Sequence, residues 1–265
     1  MRTLTIGLGA FGLAAAALAQ PADVKVLAAG SLRTALTEVA QAWEAQVPGR
    51  RAVLGFGASG LLKDRLLAGE VAQVFASANM EHPQALAAAG RALAPQAFAS
   101  NRLCALAPAE AGLTSANLVE RLLDPAVRLG TSTPRSDPAG DYTWTMFERI
   151  EQQGRPGAFK TLSTKALQLT GGPASPPPPA DRSVYGALME AKRADVFVTY
   201  CTNAVSAARE VPSLRSVEVP AEVNVAARYG VALLNGAGEP AQDFVRFLLG
   251  PAGQAVLARH GFAAP

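Results

Sequence analysis

From residue 24 to residue 209, short runs of apolar and β-branched residues alternate with stretches of helical period. This alternation constrains the fold more than any other feature of the chain. Val24 to Ala29 reads as a strand, and Thr34 to Gln46 carries Leu36, Val39, Ala40 and Trp43 at helical spacing. Ala52 to Phe56, Val74 to Ser77 and Leu103 to Ala107 read as further strands, with helices at Leu61 to Ala68 and Pro83 to Ala89 between them. A second series has strands at Val127 to Gly130, Val196 to Thr199 and Val225 to Leu234. Its helices are Ala139 to Gln152 (opened by Pro138), Val184 to Lys192 and Thr202 to Arg209, with two closing helices near Ala241 to Leu249 and Pro251 to Arg259. Strand–helix alternation of this kind predicts an α/β fold with mostly parallel pairing. The stretch Gly171 to Ala180 holds five prolines, which remove the backbone donors that a helix or central strand needs. Because helix and strand patterns resume directly after it, it is expected to be an extended surface loop rather than a linker between domains.

The first nineteen residues stand apart. Arg2 is followed by an apolar run from Ile6 to Leu18 and by Ala17-Leu18-Ala19, a small-x-small cleavage signal. This pattern predicts a signal peptide over residues 1–19, cut before Gln20. A membrane anchor is the alternative, but the run is shorter than the roughly 20 apolar residues that span a bilayer. The mature chain is therefore expected outside the cytoplasm, in the periplasm. Lysine and arginine total 24 against 21 acids, with no basic run, so nothing points to nucleic acid. In an oxidising compartment the two cysteines, Cys104 and Cys201, form either a disulfide or a pair of buried thiols, and their sequence leaves both open.

The pattern G-x-G-x-x-G occurs twice. Gly7, Gly9 and Gly12 fall inside the signal segment. Gly55, Gly57 and Gly60 follow a strand and open a helix, as a dinucleotide site requires, but the next strand, Gln73 to Ala78, ends without the acidic residue that would bind a ribose. An anion cradle is the simpler expectation. Ser59 stands at a helix N-cap position, glycines let the backbone approach a ligand, and the first helical N–H groups have no intrahelical partner. Gly30-Ser31-Leu32, Pro138-Ala139-Gly140 and Ser183-Val184 repeat the arrangement. Each alone is an ordinary cap, but together they lie at the junctions that line the ligand crevice of open α/β sheets. An exported enzyme with Ser31 or Ser59 as nucleophile lacks an evident base, since His82 and His260 have no supporting cluster. Asp137 and Asp141, four residues apart, are expected to form a solvated helix start.

These junction residues carry a family resemblance. Ala28-Ala29-Gly30-Ser31-Leu32, Phe56-Gly57-Ala58-Ser59, Val74-Phe75-Ala76-Ser77-Ala78, Asn101-Arg102-Leu103, Pro138-Ala139-Gly140, Val184-Tyr185-Gly186-Ala187-Leu188 and Val198-Thr199-Tyr200, in this order, resemble the periplasmic molybdate-binding proteins of bacterial ABC importers. The resemblance extends to the ending, from Gly250-Pro251 through Gly261-Phe262. It implies the type II periplasmic-binding-protein fold: α/β, two-lobed, two mixed sheets flanked by helices and joined by two crossing strands. The crossings would lie at Asn101 to Ala107 and near Val223 to Tyr229. Lobe 1 would comprise residues 20–102 and 227–265, and lobe 2 residues 103–226. The resemblance further implies a monomer without cofactor or directly ligated metal, delivering molybdate or tungstate to a membrane permease. Carried over residue by residue, Ser31 and Ser59 would bind the oxyanion by hydroxyl and backbone, Ala139 and Val184 by backbone N–H, and Tyr200 by its phenol. Such neutral donors suit an anion with no proton to give. Sulfate shares that property, and another oxyanion or a small organic anion is the alternative cargo. The chain differs from family members at Gln73, in the proline-rich loop and at Tyr185.

Overall fold

The computed structural model describes residues 23–46, 49–179 and 182–265. The signal-peptide segment lies outside these described residues. Short runs of mostly buried residues build two five-stranded sheets. The first contains β1 (Asp23–Ala29), β2 (Arg51–Gly57), β3 (Val74–Ser77), β4 (Gln96–Asn101) and β10 (Ala227–Leu233), in the order β2-β1-β3-β10-β4. The second contains β5 (Leu103–Pro108), β6 (Leu129–Ser132), β7 (Leu167–Thr170), β8 (Val196–Tyr200) and β9 (Leu214–Glu218), in the order β7-β6-β8-β5-β9. Each sheet is mixed in the same way. In the first, β10 runs against both of its neighbours, and in the second, β5 does. The remaining contacts, β1 with β2 and β3, and β6 with β7 and β8, are parallel. The reversed strand in each case is the one entered just after the chain passes from the other sheet.

Two crossings connect the sheets. The first is the step from β4 to β5 at Arg102, and the second is the segment 219–226 that leads from β9 to β10. Asn224 ties the crossings together. The Leu103 N–H donates to Asn224 Oδ1 at 2.9 Å, and Asn224 Nδ2 donates to the Leu103 carbonyl at 3.0 Å, so the amide side chain substitutes for a strand neighbour. Arg149 donates to the Asn224 carbonyl from α5 (Pro138–Gln152).

Helices cover the sheets with their apolar stripes. In α1 (Arg33–Glu44), Leu36, Val39, Ala40 and Trp43 are buried at the spacing read from the sequence. Trp43 meets Phe244 of α9 (Glu239–Leu249) edge to face at 5.2 Å, and its indole N–H donates to Asp243 at 3.1 Å. The end of the chain, including α10 (Pro251–Arg259), thus packs on the first sheet beside the beginning of the chain. The proline-rich segment connects β7 to α7 (Val184–Glu190) within the second sheet's half. It carries no helix or strand over 171–179 and lines the central cleft. Among the described residues no helix is long and apolar enough to cross a membrane.

Candidate functional site

A cavity of about 1260 Å³ is lined by residues from the loops of both sheets. Ser31, Ser59, Val184 and Tyr200 all contribute to its wall. Ser31 sits in the 3₁₀ turn Gly30–Leu32 that follows β1, and its hydroxyl shares a 2.9 Å hydrogen bond with the Tyr229 hydroxyl. Ser59 is the first residue of α2 (Ser59–Leu67), one place beyond the expected N-cap, which is Ala58. Its Oγ accepts the Ala78 N–H at 3.1 Å. Tyr200 ends β8 in the other sheet, and its hydroxyl donates to the Ala78 carbonyl at 3.2 Å. Val184 opens α7 behind Ser183, whose Oγ accepts the Gly186 N–H at 3.3 Å.

Ala139 does not fit its expected role in this arrangement. It is fully buried, and its N–H donates to Asp137 Oδ1 at 3.0 Å rather than facing the cleft. Asp137 is the N-cap of α5, so one of the helix's four free amides is satisfied by its own chain. The expectation of a solvated acid pair at this helix start is corrected with it. Asp137 lines the cavity, and burial raises its carboxyl to about 6. Asp141 accepts the Arg135 N–H at 2.6 Å, and burial raises its carboxyl as well. The sequence placed Asp137 correctly at a helix start. It did not show that the helix start faces a largely desolvated cleft.

The two halves also meet backbone to backbone. The Gly60 N–H in the first turn of α2 donates to the Ser136 carbonyl at 2.8 Å. A Cβ at Gly60 would lie 2.4 Å from the Arg135 carbonyl oxygen, so this third glycine of the G-x-G-x-x-G pattern permits a close approach between the halves.

Tyr185 and Tyr200 line the cleft, and further aromatic residues pack against Tyr200. Tyr200 stacks tilted against Tyr229 at 5.5 Å and meets Tyr142 at 6.2 Å. Burial holds the Tyr200, Tyr229 and Tyr185 hydroxyls well above their usual range, so all three remain neutral donors. The Tyr185 hydroxyl lies beside Ser132, Thr199 and Asn203. Cys104 and Cys201 are joined by a disulfide with Cα atoms 4.7 Å apart, linking β5 to α8 (Cys201–Glu210) directly after Tyr200. Neither cleft serine has a histidine partner. His82 Nε2 is buried without a hydrogen bond, and His260 pairs with Glu38 at 2.7 Å. Among the described residues no group of three or more His, Cys, Asp or Glu side chains could hold a metal ion. No motif marks Tyr229, because only the second crossing brings β10 beside Ser31.

The chain is similar to known proteins in sequence and fold. A family model for bacterial extracellular solute-binding proteins matches residues 24–263. An uncharacterised protein of Pasteurella multocida, PM1146, is 38% identical over 215 residues, covering 79% of this chain and 86% of its own. The molybdate-binding protein ModA of Mycobacterium tuberculosis is 28% identical over 254 residues, 92% of this chain and 85% of its own. Among solved structures, the periplasmic molybdate-binding protein of Azotobacter vinelandii matches with a TM-score of 0.73 at 18% identity, over 91% of this chain and 99% of that one. The sulfate-binding protein SubI of Mycobacterium tuberculosis matches with a TM-score of 0.76 at 17% identity, over 91% and 86%. The two mixed sheets and two crossings are those of the two-lobed periplasmic-binding-protein fold. On the family match and the PM1146 relationship, the chain belongs to the bacterial extracellular solute-binding proteins.

Proposed function

We propose that this protein is the periplasmic solute-binding component of an ABC importer, and that its cargo is molybdate or tungstate. The observation that carries this is the set of neutral groups that line one cavity from both halves: Ser31, Ser59 and Tyr200, with Val184 at a helix start, the Tyr200 hydrogen reaching the anion by leaving the Ala78 carbonyl. A fully deprotonated tetrahedral dianion accepts hydrogen bonds and gives none, so hydroxyls and amides match it without a buried donor left unpaired. The relationship to ModA supports the same cargo. In this proposal residues 20–102 and 227–265 form lobe 1 and residues 103–226 lobe 2. Residues 1–19 direct export, and the closed monomer presents its cargo to a membrane permease. Ala139 contributes its N–H only if Asp137 releases it on binding.

Thermal denaturation with sodium molybdate or tungstate is the direct test. A ligand at a hundred times its dissociation constant stabilises the native state by about 2.7 kcal/mol. Molybdenum or tungsten co-purifying with protein taken from the periplasm is the companion result. No shift with either anion removes the assignment. Sulfate is the second reading, favoured by the match to SubI and by the fact that sulfate is also an unprotonated dianion. A shift with sulfate and none with molybdate selects it. A hydrolytic role would need a base beside Ser31 or Ser59, whose hydroxyls instead meet the Tyr229 hydroxyl and the Ala78 N–H.

A further inference from the structure

The cleft contains a group that the neutral-donor scheme does not use. Asp137 lines the cavity with one carboxyl oxygen occupied, Oδ1, which accepts the Ala139 N–H. Its position is built into the chain. Gly171 has φ 77°, and a Cβ there would lie 2.5 Å from Asp137 Oδ2, so the segment beside the carboxyl requires a residue without a side chain. Arginines also line the cavity, but Arg102 pairs with Glu218, Arg182 with Glu190 and Glu210, and Arg259 with Glu38, and among the described residues no lysine or arginine pairs with Asp137. Asp141 lies on the same helix, Tyr185 comes from α7, Tyr200 from β8 and Tyr229 from β10. None of the groups that shift the carboxyl is a lysine or arginine. The buried Ser132 hydroxyl of β6 lies beside both this carboxyl and the Tyr185 hydroxyl.

A dianion entering this cleft therefore meets a carboxylate that no lysine or arginine pairs with. Like charges in a poorly solvated site cannot both persist, and the carboxylate is the partner able to take up a proton. We propose that Asp137 binds the oxyanion as the neutral acid: one solvent proton adds to the carboxylate on ligand entry, and the resulting O–H donates to an anion oxygen. The protein would then bind dianion and proton together, making cargo affinity pH-dependent through a single residue. This proposal rests on the oxyanion assignment above. Burial already brings the Asp137 carboxyl to about 6 in the free protein, so the linkage falls within the range where the protein can be studied.

Isothermal titration of the full mature protein with sodium molybdate from pH 6.5 to 8.5 tests it, run in two buffers of different ionisation heat. One linked proton weakens binding about tenfold per pH unit and gives uptake of close to one proton per anion. In Asp137→Asn, whose amide donates at any pH while its oxygen still caps Ala139, the affinity becomes flat across this range and the proton uptake disappears. A pH-independent affinity in the parent protein overturns the proposal. An unchanged slope in Asp137→Asn also overturns it, by assigning the proton elsewhere. If molybdate and tungstate fail to bind at pH 6.5 while inorganic phosphate, which carries its own proton, binds, the cargo assignment falls and this proposal with it. In that case Asp137 acts as an ionised acceptor.

Discussion

The hydroxyl of Tyr200, at the end of β8, donates to the carbonyl of Ala78, just past β3 in the other sheet, at 3.2 Å. Ala78 also donates its N–H to Ser59 Oγ, so one residue joins contributors from both halves of the cleft. Tyr200→Phe removes the donor and leaves a buried carbonyl unpaired, since Ala78 is 2% exposed. A loss of about 1–3 kcal/mol in the free protein is expected, checked by scanning calorimetry. Molybdate affinity should fall at least tenfold by titration. Full affinity in the variant would show that the phenol does not bind the anion.

Gly60 controls how closely the halves approach. Its N–H reaches the Ser136 carbonyl, and an added Cβ would meet the Arg135 and Ser136 carbonyl oxygens at 2.4 and 2.7 Å. These are backbone atoms and cannot swing aside as a side chain would. Gly60→Ala is therefore expected to fold normally by far-UV circular dichroism yet hold the lobes apart. Ligand binding should weaken at least tenfold, and the radius of gyration by small-angle scattering should no longer contract with ligand. Parent-like affinity would mean that closure does not pass through this contact.

Much of this was readable from the chain because local periodicity and long-range packing agree. The stripe Leu36, Val39, Ala40 and Trp43 is buried in α1 as its spacing required, and Ser31, Ser59 and Tyr200 sit at strand ends that border one cavity. Where the two levels part, the sequence is silent. β7, Leu167–Thr170, is four residues long with its first two exposed, and β4 and β9 give no run that stands out from a loop. The disulfide depends on register, with Cys104 paired to Thr199 beside Tyr200, which no spacing shows. Asp137 illustrates the same limit at the site. An acid before Pro138 signals a helix cap, but its exposure depends on Gly171, Tyr185 and Tyr200, which pack around it only in the folded chain.

The Cys104–Cys201 bond closes a loop with a sequence separation of 97 and fixes the residue directly after Tyr200. Cross-linking a loop of this size restricts the unfolded chain, and its removal is expected to cost about 2–5 kcal/mol. The double variant Cys104→Ser, Cys201→Ser should show that loss in urea denaturation. Reductant should lower the parent's midpoint and leave the variant's unchanged. Equal midpoints for parent and variant would mean the bond adds nothing.

Asp137 should also leave a signature in the free protein's stability. Its carboxyl is at about 6 when folded against the ordinary aspartate value of 3.8, with burial as the main cause. The folded state therefore holds this proton more tightly than the unfolded state, and the associated stability is complete below about pH 4 and lost as pH rises through 6. A shift of about two units corresponds to about 3 kcal/mol, an upper value because the cleft admits some water. Glu38, Glu70 and Asp195 act in the opposite sense: arginine hydrogen bonds lower their carboxyls, so their contribution is lost on acidification. These groups are common to the parent and Asp137→Asn, so the difference between the two proteins isolates the one carboxyl. Asparagine retains the acceptor for the Ala139 N–H and does not ionise, so the variant should gain about 1–3 kcal/mol over the parent between pH 4 and pH 7, read from urea midpoints at both pH values. A constant difference across that interval would mean that Asp137 titrates as an ordinary surface acid and that the cleft does not shield it.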